Sequence, residues 1–234
     1  MKRKTLLLGA ALLLSVCSLR AQMRYYASYD DFIQDKSEPI EGVELKCHSE
    51  GHQVWAGGND FALDSEDKVV KKKLKKKVFA VANGDTIYVN CRNLQYDNAR
   101  FGNGYTQALR IGRDTLLFVN RPIGPEAQSQ AQTAGFFLGV IGSALVASNQ
   151  QHYQVCYLIT EGPNENGRIE IERIEDPHMR KFLKDNKELR EQYFTEKDKR
   201  ERRLATHILP LLEEVGIIKN YKQLLITPKA IKGY

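Results

Sequence analysis

The sequence predicts an α+β protein: antiparallel strand hairpins forming a sheet or partly closed barrel, an apolar glycine-rich helix packed on it, and C-terminal helices. Three observations carry this expectation. Asn83-Gly84 sits between two alternating apolar runs, the signal of a tight hairpin. Residues 127–160 hold no Asp, Glu, Lys or Arg, and residues 134–147 within them are apolar on every side. After Asp176 the composition turns to charged segments with apolar residues at helical spacing. The implied division is a leader over residues 1–21, a β-rich domain over 22–175 that contains the 134–147 helix, and a helical region over 176–234.

The leader reads as a secretory signal. Lys2, Arg3 and Lys4 form a basic start, residues 6–16 an apolar stretch too short to span a bilayer, and Ala21-Gln22 a cleavage point. A lipoprotein acylated at Cys17 is the competing reading, and Val16 before it is larger than that processing favours. The whole chain carries 35 Lys and Arg against 29 Asp and Glu, a net +6. Lys2, Arg3, Lys4 and Arg20 lie in the leader, so the exported chain holds 31 against 29, a net +2. The basic character of the precursor is thus partly a targeting effect and weak evidence for nucleic acid. Three cysteines remain, Cys47, Cys91 and Cys156. Export permits one disulfide among them, and three buried thiols are equally compatible.

Along the chain, Tyr25 to Ile33 reads as a strand end feeding a short helix, which Ser28 or Asp30 can cap and Pro39 stops. Residues 42–48 alternate as a strand, and residues 51–63 read as irregular, with Trp55 covering the core edge. Asp64, Ser65 and Asp67 suggest a short capped helix or turn. The lysine run that follows has two readings. Lys71, Lys72, Lys73, Lys75, Lys76 and Lys77 form either a patch for anionic glycan or lipid, or a solvated edge that blocks strand pairing. No Arg or aromatic interleaves there to stack bases, which disfavours nucleic acid.

In the first hairpin, counting outward from Asn83-Gly84 pairs Ala82 with Asp85, Ala80 with Ile87 and Val78 with Val89. Both faces are partly apolar, which argues for a hairpin covered on both sides. A second hairpin turns at Gly112-Arg113 and pairs Leu109 with Leu116. In a third, Tyr153, Val155, Tyr157 and Ile159 face Ile169 and Ile171. Asp176-Pro177 opens a helix with Met179, Phe182 and Leu183 inward. Thr195 to Asp198 resembles a capping box opening a last helix that bears Leu204, Ile208, Leu211, Leu212 and Val215, is kinked by Pro210 and ends at Gly216. Lys197 to Arg203 form its solvated side or a docking face.

The apolar run bears Gly135, Gly139, Ser143 and Ala147 at intervals of four, which in a helix gives one stripe of small residues. As a helix, 133–148 is about 24 Å long, short of the roughly 30 Å of a bilayer core. Packing on the protein's own sheet, on a second copy or on a membrane are the readings of that stripe.

The leader ending in Ala-Gln, the opening Tyr-Tyr-Ala-Ser-Tyr-Asp-Asp-Phe-Ile, the hairpin Val-Phe-Ala-Val-Ala-Asn-Gly-Asp-Thr-Ile-Tyr-Val-Asn, the glycine-rich run and the tail from Asp176 occur in an order that resembles an uncharacterised family of small exported proteins from Bacteroidota. The resemblance implies a cell-envelope location (periplasmic, outer-membrane associated or secreted) and brings no catalytic residues. The segment Asp35 to Pro39 is longer than the short turn typical there.

Catalytic motifs are nearly absent: no Gly-x-Ser-x-Gly, phosphate loop, His-Glu-x-x-His or Cys-x-x-Cys occurs. Cys47, His48 and His52 are three possible metal ligands without a fourth, so no metal and no cofactor is expected. Cys47 or Cys91 with His152 or His207 would be the nucleophilic pair of an unrecognised hydrolase. The leading expectation is a non-enzymatic protein that contacts a protein partner, itself or a membrane through Gly135, Gly139, Ser143 and Ala147. The second is an anion-binding module built on the lysine cluster.

Overall fold

A computed structural model describes residues 23–48, 59–124 and 154–225. The leader, Trp55, His52, His152 and the 134–147 run lie outside the described residues.

The chain opens with β1 (Arg24–Tyr26), α1 (Tyr29–Ile33) and β2 (Glu38–Pro39). Ser28 caps α1 and Asp31 returns the bond to its backbone, a reciprocal capping box. The helix ends well before Pro39, because Asp35 turns the chain through φ 53°, a left-handed conformation Asp tolerates. Next come β3 (Val43–Cys47), β4 (Phe61–Ser65) and α2 (Lys68–Lys77). The central strands are β5 (Ala80–Asn83), β6 (Thr86–Asn90), β9 (Tyr105–Ile111), β10 (Thr115–Asn120) and β11 (Val155–Ile159). Between β6 and β9 lie the short β7 (Leu94–Tyr96) and β8 (Ala99–Arg100); after β11 come β12 (Ile169–Glu170) and β13 (Glu172–Arg173).

One open sheet runs β13-β11-β10-β9-β6-β5-β1-β2, with the β3–β4 hairpin joined to β9 at Phe61 and Tyr105. Among the described residues it does not close into a barrel. Beside it, β12 pairs parallel to β7, and β7 antiparallel to β8.

The central strands are apolar on both sides, and the sheet is covered on both. On one face Ala80, Ala82, Val89, Ala108, Leu116, Phe118, Val155, Tyr157 and Ile159 pack beneath α1 and the small sheet. Phe101, Phe118 and Tyr157 form an aromatic cluster there, with centroids 5.0–5.6 Å apart. The opposite face has two covers. Leu117, Val119, Cys156 and Leu158 meet the C-terminal helices. Tyr25, Val81, Tyr88 and Tyr105 meet α2 and the β3–β4 hairpin.

Two hairpin registers differ from expectation. In the first, Asn83 pairs with Thr86 and Ala80 with Val89; the turn is Gly84-Asp85, with Gly84 at φ 60°. Ala80, Ala82, Ile87 and Val89 share one face, whereas Val78, expected opposite Val89, precedes the strand and packs in the cluster under α2, and Phe79 packs with Ala80 and Val89. The second hairpin slips by a single position. Its loop holds Gly112, Arg113 and Asp114, and Leu109 faces Leu117, not Leu116. The third hairpin divides: β13 stays on β11, while Ile169 leaves to pair with Leu94. Ile169 and Ile171 nonetheless pack in the same cluster as Val155, Tyr157 and Ile159.

The C-terminal helices are α3 (Asp176–Phe182), α4 (Lys187–Tyr193), α5 (Lys199–Arg202) and α6 (Ala205–Glu214). Pro177 stands in the first turn of α3, as expected. The anticipated last helix is two. Asp198, not Thr195, caps α5, and the chain breaks at Leu204 before α6, where Val155 and Leu204 form an isolated bridge. Arg202 is not solvated: it is 6% exposed and grips Asp176.

Candidate functional site

The lysine run is a helix, not a strand edge. Lysine is a good helix former, and Val70 and Leu74 at i, i+4 supply one apolar contact line. Asp67 starts the helix by accepting the amides of Val69 (2.7 Å) and Val70 (3.3 Å). Its C-terminal turn is held from the sheet. Asn90 Nδ2 donates to the carbonyls of Leu74 and Val78, both at 3.0 Å, and the Tyr105 hydroxyl donates to Leu74 at 2.6 Å. Burial pushes the Tyr105 hydroxyl well above its usual range, so it stays a protonated donor. Leu74 is fully buried and Val70 partly so.

With 3.6 residues per turn, Lys68, Lys72, Lys75 and Lys76 fall opposite Val70 and Leu74, and all four are exposed. Val69 lies on the same side at 76% exposure. The six lysines expected to act together are therefore divided. Lys71 pairs with Asp64 at 2.6 Å, and Lys46 approaches the same carboxylate at 3.0 Å. These cations, Lys71 foremost, hold Asp64 well below the usual carboxylate range. Lys73 lies over the Tyr25 ring, bonds its hydroxyl and stands 3.9 Å from Glu38. Lys68 belongs to the open face although the run counted from Lys71 omits it.

The charge spacing is informative. Like charges at i, i+4, such as Lys68 with Lys72 and Lys72 with Lys76, each cost an isolated helix about 0.2–0.5 kcal/mol. Lys75, Lys76 and Lys77 at the C-terminal turn gain part of this back from the helix dipole.

The remaining sequence candidates do not assemble among the described residues. Cys47, Cys91 and Cys156 are all free thiols. Burial pushes each of them upward, away from the thiolate a nucleophile needs. His48 Nδ1 is 2.6 Å from the Asn59 carbonyl, and no group of three His, Cys, Asp or Glu side chains among the described residues could hold a metal. His207 Nε2 lies 3.1 Å from the Tyr193 carbonyl, in the C-terminal helices and away from Cys47. A shallow cavity of about 450 Å³ is lined by Asp30, Glu161, Gly162, Pro163, Asn164 and Glu170. No described helix is long and apolar enough to cross a membrane. Gly135, Gly139, Ser143 and Ala147 lie outside the described residues.

Sequence reasoning missed Asn90 and Tyr105 as the supports of α2, and Arg202 as a buried cation. Asn90 alone carried a signal, a polar residue closing an apolar strand.

A family model described as a family of unknown function (DUF6563) matches residues 24–219, from β1 past α6. The chain belongs to this family. The match covers the strand core, the lysine helix and the C-terminal helices alike. No curated protein matches the chain. No solved structure matches it either.

Proposed function

We propose that this member of the family is an exported, non-enzymatic binding module whose lysine helix docks on an anionic surface, such as an acidic glycan or a phosphate-bearing lipid headgroup. One observation carries the reading: α2 is fixed at both ends and along Leu74, while Lys68, Lys72, Lys75 and Lys76 point outward with Val69 among them. A flat row of mobile ammonium groups suits a polyanion whose charges are spread along its length, rather than a single bidentate anion. The chain is close to neutral beyond its leader, so the local row, not the net charge, attracts the ligand. Retention on a sulfated or phosphorylated matrix, and on anionic compared with zwitterionic vesicles, tests this and separates glycan from lipid. Binding should fall steeply with salt and disappear when Lys68, Lys72, Lys75 and Lys76 become Gln. Equal retention of that variant rejects the proposal.

A second reading rests on the four-residue spacing of Gly135, Gly139, Ser143 and Ala147, which suits close contact with a protein partner, another copy or a membrane. Here Gly139→Leu should abolish membrane association or partner recovery from cells. Unchanged fractionation would remove it.

A further inference from the structure

Among the described residues the outer edge of β3 is open, and the strand pairs only with β4. The His48 amide donates to the Asp60 carbonyl at 2.8 Å, which places the bonded pairs of this ladder at His48–Asp60, Lys46–Ala62 and Glu44–Asp64. By alternation, the amides and carbonyls of Val43, Leu45 and Cys47 point away from β4. Their side chains are half-buried against the cluster under α2. Such an edge is ordinarily blunted by proline, a bulge or charged side chains, lysine above all, and a strand whose charges complement themselves turns the last device into a selective one. This one carries Glu44 and Lys46 on either side of Leu45; within the chain they pair with each other at 3.3 Å and Lys46 also with Asp64 at 3.0 Å, while 73% and 49% of their side chains stay exposed and open to a facing strand.

We propose that β3 pairs with β3 of a second copy, antiparallel and centred on Leu45. The sequence Val43-Glu44-Leu45-Lys46-Cys47 is self-complementary in that register. Leu45 exchanges backbone bonds with Leu45 of the other copy, and Val43 with Cys47. Glu44 then stands opposite Lys46 twice, at the non-bonded positions where side chains approach most closely. A two-fold interface is isologous, so a strand whose charges complement themselves about its centre is what it requires. The axis runs perpendicular to the sheet, which puts both lysine helices on the same face of one continuous sheet. A polyanion could then bridge two rows of lysines and strengthen the dimer. The dimer itself does not depend on anion binding, and the two proposals fail separately.

Sedimentation or light scattering of the purified exported chain over a concentration series tests the pairing. The mass should rise toward twice that of one chain. Glu44→Lys sets like charges opposite each other at both symmetry-related positions, and should raise the dissociation constant about tenfold or more. Within one chain the change loses the exposed Glu44–Lys46 pair, a small term, and the new lysine faces Asp64, so the fold should survive. Adding Lys46→Glu to Glu44→Lys restores opposite charges across the interface and should restore the dimer. Leu45→Pro removes an amide that points outward and should leave a monomer that still binds the anionic matrix. A monomer at every concentration, a dimer indifferent to Glu44→Lys, or a doubly exchanged chain that stays monomeric overturns the proposal.

Discussion

Two covers lie on the same face of one sheet and are built on opposite principles. The C-terminal cover buries Met179, Leu183, Leu189, Tyr193, Ile208, Leu209, Leu211 and Leu212 over Leu117, Val119, Cys156 and Leu158. Its one buried cation, Arg202, is matched by Asp176 at 2.6 and 2.9 Å and lies beside the rings of Tyr193 and Phe194. The α2 cover buries Leu74, leans on Val70 and is otherwise fastened by hydrogen bonds at its ends. The first is shaped by packing and the second by presentation. A helix that contributes so little apolar surface yet is held so firmly at its termini makes sense where its outward face is what matters.

The sharpest way to break this contrast is to empty a core position in the C-terminal cover. Ile208 is fully buried among apolar neighbours, so Ile208→Ala should lower unfolding free energy by on the order of 3 kcal/mol through lost burial and a residual cavity. Urea titration measures the loss. Retention on the anionic matrix should not change below the midpoint, because the lysine row is seated on the other end of the sheet. A loss of retention equal to the loss of stability would show that the two covers are one cooperative device.

The buried ion pair gives the next effect. Arg202→Gln leaves Asp176 without its cation and should cost on the order of 2–3 kcal/mol at neutral pH, since Asp176 keeps some access to water. Arg202, foremost, and the Tyr193 hydroxyl hold the Asp176 carboxyl below its ordinary value in the folded chain. A depressed folded value means the contribution is complete above the unfolded aspartate range, about 3.9, and fades as pH falls through the folded value. Stability of the natural chain should therefore drop on acidification across that window, and the Arg202→Gln variant should drop less. Parallel pH profiles would assign the pair no role in the helical layer.

How legible all this was in the sequence follows from the range of each interaction. The central strands announced themselves because alternation and runs such as Leu116 to Val119 are local. Their register did not. Leu116 and Leu117 are adjacent, so either can face Leu109 without exposing apolar surface, and only the loop length at Gly112 decides. The break before α6 was hidden for a similar reason: Leu204 fits a helical stripe, yet in the fold it is drawn into a bridge with Val155. The lysine run was ambiguous because lysine suits both a helix and a solvated edge. What decides is Asn90 and Tyr105, which reach Leu74 from 16 and 31 residues away. A charge run shows its composition in sequence, but its division into an open face and a paired flank exists only once Asp64, Tyr25 and Glu38 are in place.

The smallest expected effect on folding is therefore the most telling for function. Changing Lys68, Lys72, Lys75 and Lys76 to Gln touches no ion pair among the described residues and keeps good helix formers throughout. Relief of like-charge contacts offsets the lost dipole term at the C-terminal turn, so thermal unfolding should move by no more than about 0.5 kcal/mol in either direction. Changing Lys71 and Lys73 instead takes one of two lysines from Asp64, which keeps Lys46, and the cation from the Tyr25 ring, whose hydroxyl keeps Glu38; it should destabilise the chain more than the four outward changes do while leaving part of the retention. Circular dichroism and salt elution on the same samples read both quantities. If the four outward lysines prove to matter more for stability than Lys71 and Lys73 do, α2 is a cover like α6, and the distinction between the two ends of the sheet collapses.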